Sequence, residues 1–200
     1  MLILPFTEED AKNIFKKSLH ILRSGGIVAY PTESFYALGV LATNEAAIRK
    51  LFELKKRPVG KPLPIIVGDL DTLRSVAEDI PFSAEDLMKR FWPGPLTIIF
   101  KAKDSVPFLL TGGTGKVAVR IPGESAALHL AKALKLPITS TSANHSGEPP
   151  AEDSGSVINY FGNGTDLIID AGKAPGGWPS TIIDVTVTPP KVLSEGSLTL

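Results

Sequence analysis

An α/β fold built on a twisted, open, mixed sheet flanked by helices is predicted by three observations. Short β-branched runs such as Ile27-Val28-Ala29-Tyr30 and Val117-Ala118-Val119 alternate with segments whose apolar residues recur at helical spacing. The 17 prolines and 18 glycines are scattered as turn punctuation and are concentrated in no linker. An apolar content of 43% in 200 residues suffices for a sizeable core. One domain spanning residues 1–200 is therefore expected.

Thr7-Glu8-Glu9-Asp10 reads as the cap and acidic first turn of a helix that carries Ile14, Leu19, Ile21 and Leu22 to a stop at Gly25-Gly26. Residues 27–30 form a buried strand that Pro31 breaks, which leaves Thr32 just past its end. Asn44 caps a helix whose Ala47, Ile48, Leu51 and Leu54 recur at helical spacing before Pro58. Residues 63–67 are a second strand, Asp69 or Asp71 starts a helix, and Ser83-Ala84-Glu85-Asp86 caps another running toward Phe91. Trp92-Pro93-Gly94-Pro95 is a rigid turn into a strand at 96–100, and Trp92, Phe91, Phe100 and Phe108 read as core or turn packing. A strand at 117–121, a helix at 124–135, the strand Ile138-Thr139, a helix near 153–161 and strands near 167–170, 180–186 and 191–193 complete the pattern.

Lys+Arg and Asp+Glu balance at 21 each, which excludes a protein that coats nucleic acid by bulk electrostatics. Without cysteine there are no disulfides, thiolate metal sites or thiol nucleophiles, and His20, His129 and His145 are the only imidazoles, so no dedicated metal centre is expected. No apolar run approaches the roughly 18 residues of a membrane span, and the N-terminus is too short for a signal segment; a cytoplasmic location follows as the expectation. Gly112-Gly113-Thr114-Gly115-Lys116 imitates a phosphate loop, but its first glycine would fall on Leu110 and Val117 replaces the magnesium-binding hydroxyl residue. Neither a hydrolase elbow nor a dinucleotide fingerprint occurs.

What remains points to an anion. Lys55, Lys56, Arg57 and Lys61 share one loop stiffened by Pro58, Gly60 and Pro62. The first three also suit the negative end of a helix dipole, whereas Lys61 lies beyond it. The segment from Ser140 to Gly147 is either a polar turn or a ligand loop, and the Thr32 hydroxyl serves either the backbone or a ligand. Arg120, inside a valine-rich strand, must pair with an anion or reach solvent, and an anion is the favoured reading. Thr32, Arg120 and the 140–147 loop each fall at the C-terminal end of a strand, where open α/β sheets place ligands, so distant segments are expected to converge on one hollow.

Six blocks then occur in one order: Tyr30-Pro31-Thr32-Glu33, Lys55-x-Arg57-Pro58-x-x-Lys61-Pro62-Leu63, Trp92-Pro93-Gly94-Pro95-Leu96-Thr97, Val119-Arg120-Ile121-Pro122, Ser142-Ala143-Asn144-x-Ser146-Gly147 and Ser180-Thr181-Ile182-Ile183-Asp184. In this the chain resembles the YrdC-type threonylcarbamoyl-AMP synthases in their short, single-domain form. The resemblance implies a YrdC-like fold with a deep cationic cavity. It implies a nucleotidyl transfer in which L-threonine, bicarbonate and ATP yield threonylcarbamoyl-adenylate and pyrophosphate, with magnesium arriving on the ATP phosphates. A downstream tRNA threonylcarbamoyl transferase would take the product. Carried over by position, Thr32, Arg120, Ser140 and Ser180 would hold threonine. Lys55, Arg57, Lys61, Lys116, Ser142 and Asn144 would hold ATP. No residue is expected to form a covalent intermediate. Three positions depart from the pattern: Ile66 replaces a histidine, Pro150 a serine and Ser194 an arginine. The alternative is a module that binds double-stranded RNA or tRNA through the same cations and does no chemistry.

Overall fold

The computed structural model describes residues 1–200. Its elements in chain order are β1 (Leu2–Pro5), α1 (Ala11–Arg23), β2 (Val28–Pro31), β3 (Tyr36–Gly39), α2 (Glu45–Lys55), β4 (Ile65–Ile66), α3 (Leu70–Val76), α4 (Phe82–Phe91), β5 (Leu96–Lys101), α5 (Phe108–Thr111), β6 (Lys116–Arg120), α6 (Ala126–Leu134), β7 (Ile138–Thr139), β8 (Thr141–Ser142), α7 (Ser154–Phe161), β9 (Leu167–Asp170), β10 (Thr181–Asp184) and β11 (Lys191–Ser194). The α/β class and the mixed strand directions agree with the sequence. The strands nevertheless divide between two sheets, ordered β1-β9-β2-β3-β8 and β11-β10-β5-β6-β4-β7. The division is made where β7 ends the second sheet and β8 ends the first, with Ser140 alone between them. A lone bridge from Leu41 to Ile138 stitches the same seam.

Alternation along each strand decides what faces where. In β2, Ala29 joins a core cluster of 36 buried residues, while Val28 and Tyr30 join a second cluster of 14 with Ile14 and Leu22 of α1 and Leu130 and Leu134 of α6. In β6, Val117 and Val119 enter the larger cluster, and so do Leu96, Ile98 and Phe100 of β5 and Ile183 of β10. Each such side chain contributes about 1.5–3 kcal/mol of burial. Lys116, Ala118 and Arg120 must then stand on the opposite face, alongside Thr97, and antiparallel register sets Val119 against Ile98. The polar face of the second sheet is thus fixed by the apolar residues on its other side.

The helix starts at Asn44, Asp69, Ser125 and Asp153 are capped by side chains that accept from the amides of Ala47, Thr72, Leu128 and Ser156. Two other starts differ from expectation. Residues 7–10 form a turn before α1, because Leu2–Pro5 is drawn into a strand against β9 and the helix begins only at Ala11. Ser83 lies inside α4, which Pro81 opens, since proline is well suited to a position that gives no amide to the helix. Phe108 is 70% exposed at the start of α5 and belongs to no core, whereas Trp92 packs against Phe100 with ring centroids 6.4 Å apart, as expected. No helix is long and apolar enough to cross a membrane.

Candidate active site

Where the two sheets meet, a cleft encloses about 550 Å³ of space, part of it open to solvent. Its polar lining combines Thr32, Ser34 and Ser142 from the first sheet and its turns with Thr97, Arg120 and Ser180 from the second, and Ser140 sits at the seam. Thr32, Arg120, Ser140, Ser142 and Ser180, predicted from sequence, are therefore brought together. Apolar walls come from Phe35, Ala37, Ile65 and Ile66.

The β2–β3 turn is built by Thr32. Its hydroxyl donates to the Phe35 carbonyl (2.8 Å) and accepts from the amides of Ser34 (3.1 Å) and Phe35 (3.2 Å), which uses one donor and both acceptor sites. Thr32 thus serves the backbone and lines the cleft at once. The turn delivers Glu33 to Arg120, whose Nη1 and Nη2 donate to Oε1 and Oε2 at 2.7 and 3.4 Å; the Gly123 amide adds a donor to Oε1 at 3.3 Å. Arg120 is 8% exposed, and burial lowers its affinity for a proton while the Glu33 carboxylate restores part of it. In the same lining, Thr97 Oγ1 and Ser180 Oγ lie 2.7 Å apart. A separate, adjoining pocket shares Ser34 and Arg120 with the cleft and is also lined by Glu33, Gly176 and Trp178. Two buried phenols frame the first sheet. Tyr30 donates to the Thr139 carbonyl at 2.7 Å and burial raises its pKa; Tyr36 donates to the Gly172 carbonyl at 2.8 Å and burial pushes it up to about 12.

The basic loop and the Ser/Asn loop lie side by side. The Ser140 amide donates to the Pro64 carbonyl at 2.9 Å and the Ser146 amide to the Lys55 carbonyl at 3.0 Å. Lys55, 2% exposed at the end of α2, turns its ammonium onto the carbonyls of Ser142 and Asn144, the latter at 2.7 Å. Burial, with Arg57 nearby, pushes it down to about 7.

Several of the residues expected to contact ATP are already bonded within the protein. Lys55 braces the loop behind the cleft. Arg57 donates to the carbonyls of Pro62 (2.8 Å) and Lys61 (3.3 Å), so it shapes the loop that presents Lys61. Asn144 accepts from Ser142 Oγ at 2.6 Å and gives its amide protons to the carbonyls of His145 and Glu148, which closes its own loop. Lys116 pairs with Asp184 at 2.8 Å, and lies four residues from Arg120, about 13 Å along the strand. Burial raises the Asp184 pKa, but bonds from Lys116 and Thr186 outweigh it and hold the carboxyl below its ordinary value. Lys61 is exposed, three residues from Pro64 of the lining. Arg120 lines the cleft, whereas Lys61 and Asn144 do not. The cleft lining is rich in hydroxyls, with Arg120 as the one charged residue. Buried ammonium and guanidinium groups find carbonyls or carboxylates before they can face an open space.

Sequence reasoning passed over Glu33, Ser34 and Thr97 as site residues. Glu33 and Thr97 stood inside quoted blocks, and alternation in β5 would have placed Thr97 opposite the core. Ser34 offered no local signal. No group of three or more His, Cys, Asp or Glu side chains is placed to hold a metal ion. Among the departures, Ile66 lines the cleft and Ser194 lies exposed on β11.

Residues 20–196 match the family model Sua5_yciO_yrdC, described as "Telomere recombination". The chain is 42% identical over 179 residues to the threonylcarbamoyl-AMP synthase of Pyrococcus abyssi, covering 90% of itself and 53% of that protein. It is 37% identical over 173 residues to the threonylcarbamoyl-AMP synthase of Idiomarina loihiensis, covering 84% of itself and 91% of that protein. It thus spans about half the length of the first relative and most of the second. Among solved structures, P. abyssi Sua5 complexed with L-threonine superposes with a TM-score of 0.92 at 39% identity, over 100% of this chain and 58% of that one.

Proposed function

The chain belongs to the Sua5–YciO–YrdC family, and from that premise we propose that its cleft makes threonylcarbamoyl-AMP and pyrophosphate from L-threonine, bicarbonate and ATP. The observation that carries this reading is the single buried guanidinium of Arg120 in a cleft whose lining also holds the hydroxyls of Thr97, Ser140 and Ser180. A guanidinium there suits an amino acid carboxylate, and the hydroxyls suit its polar side chain. The pocket also offers apolar contact for a methyl group through Ile65 and Ile66.

In this reading threonine's neutral amine attacks the bicarbonate carbon, a C–O bond breaks and water leaves to give the carbamate, and a carbamate oxygen then bonds to the α-phosphorus of ATP as the bond to pyrophosphate breaks in line. No side chain needs to become covalently attached. The chain's own residues position the reactants and exclude water. Lys61, exposed and, like Lys56, without a side-chain bond within the protein, is assigned to the phosphates because it lies beyond the helix end, and Ser142 is assigned to them from the cleft wall. Hydroxyls and ammonium fit a magnesium–triphosphate complex, in which magnesium neutralises phosphate charge while keeping much of its water. The product would pass to a transferase that modifies tRNA.

Purified protein incubated with ATP, labelled bicarbonate and single amino acids should give the threonylcarbamoyl-adenylate mass with threonine. Alanine used equally well would refute a pocket that reads the hydroxyl. RNA binding that depends on Lys61, with no amino-acid-dependent pyrophosphate release, would favour the RNA-binding module instead.

A further inference from the structure

We propose that Glu33 is the counter-ion for the substrate's α-ammonium, so that Glu33 and Arg120 together form a receptor for a zwitterion; this rests on the amino acid reading given above. The ion pair is short, with 2.7 Å between Arg120 Nη1 and Glu33 Oε1, yet neither partner is saturated. Arg120 has five N–H groups and gives two of them to Glu33. The other three are available to a carboxylate. Glu33 has about four acceptor sites. It fills three, with two bonds to Oε1 and one to Oε2. One site on Oε2 is left.

The position of the pair supports the same match. Arg120 lines both the cleft and the adjoining pocket, whereas Glu33 lines only the adjoining one, and no other carboxylate lines either. An amino acid that sets its carboxylate on Arg120 therefore finds one anion for its ammonium, and that anion is Glu33. The titratable groups facing Glu33 are Arg120 and Tyr30, whose buried phenol stays protonated and neutral. Neither competes for the remaining site as a free cation. Before substrate arrives, the carboxylate also keeps a largely buried guanidinium from standing unpaired.

The competing account is that Glu33 only holds Arg120 in place. Calorimetric titration of the whole protein with L-threonine and with (R)-3-hydroxybutanoate, which keeps the carboxylate and hydroxyl but lacks the amine, separates the two. Wild type should prefer L-threonine, and Glu33→Gln, which keeps acceptor and shape without charge, should lower that affinity by about tenfold or more. The des-amino ligand should bind Glu33→Gln within about twofold of wild type, or more tightly, because the repelling charge is gone. Equal loss for both ligands overturns the proposal in favour of the bracing role, and so does unchanged threonine affinity. Should Glu33→Gln fail to fold, Glu33→Asp keeps the charge at shorter reach and must weaken L-threonine more than its des-amino analogue. A wild-type protein that binds no L-threonine would remove the amino acid reading itself, a result distinct from either outcome in the variants.

Discussion

At position 55 a lysine that is 2% exposed donates to two backbone carbonyls, and burial brings its ammonium from an ordinary 10.5 to about 7. Between those values the folded protein holds fewer protons at this site than the unfolded chain, so its contribution to stability rises with pH by at most about 1.4 kcal/mol per unit. Below about pH 7 both states are protonated and the burial penalty is complete; above 10.5 neither is, and it is gone. The difference in urea-unfolding free energy between wild type and Lys55→Met should therefore move in favour of wild type from pH 7 to pH 9, and parallel curves would refute the assignment. Lys61 tests the opposite case, an exposed cation with no side-chain partner. Lys61→Ala should change stability by less than about 0.5 kcal/mol while lowering threonine-dependent pyrophosphate release. Thr32→Ala should do both kinds of damage, since three turn bonds go with the hydroxyl, and Thr32→Ser should restore the melting temperature. The sequence assigned both lysines to the nucleotide and set only Lys61 beyond the helix end. Only the path of the chain around Ser142 and Asn144 makes one a brace and leaves the other exposed.

Among the elements, those with a strong local pattern were legible. The apolar runs of β5, β6 and β9 and the Asn44 cap of α2 lie where the sequence put them, α3 is capped by Asp69, one of the two starts expected, and α7 falls within the expected 153–161. β1 and β3 were missed because their pairing is supplied by distant strands: β1 lies against β9, and β3 between β2 and β8. Their sequences, Leu2-Ile3-Leu4-Pro5 and Tyr36-Ala37-Leu38-Gly39, are too short to announce themselves. Element packing also sets limits that sequence does not display. After β4 the chain turns at Gly68, where an added Cβ would lie 2.5 Å from the backbone nitrogen of Lys132 in α6. A backbone neighbour cannot rotate aside, so Gly68→Ala should separate α6 from the β4–α3 turn and cost about 1–3 kcal/mol, read from the denaturation midpoint. A neutral outcome would mean that α6 can shift as a unit.

Across the whole molecule, the hydroxyl site exists because a single chain segment, residues 138–142, passes from the edge of one sheet to the edge of the other. Sequence placed Thr32, Arg120 and the Ser/Asn loop at strand ends, which was enough to bring them to one cleft. It could not show that the ends belong to two sheets, nor that Glu33 would occupy Arg120, because both depend on register between segments 87 residues apart. A ligand held in this cleft must touch both sheets, so its binding should couple them. At a ligand concentration about 100 times its Kd, opening that disrupts the site becomes harder by about 2.7 kcal/mol, or roughly a hundredfold in exchange rate. With L-threonine bound, the Tyr36 amide, bonded to the Ala151 carbonyl, and the Val119 amide, within the paired strand β6, should both slow in hydrogen exchange. These amides sit on opposite sides of the seam. Protection confined to one of them would mean that the ligand rests on a single sheet and that the seam is not the floor of its site.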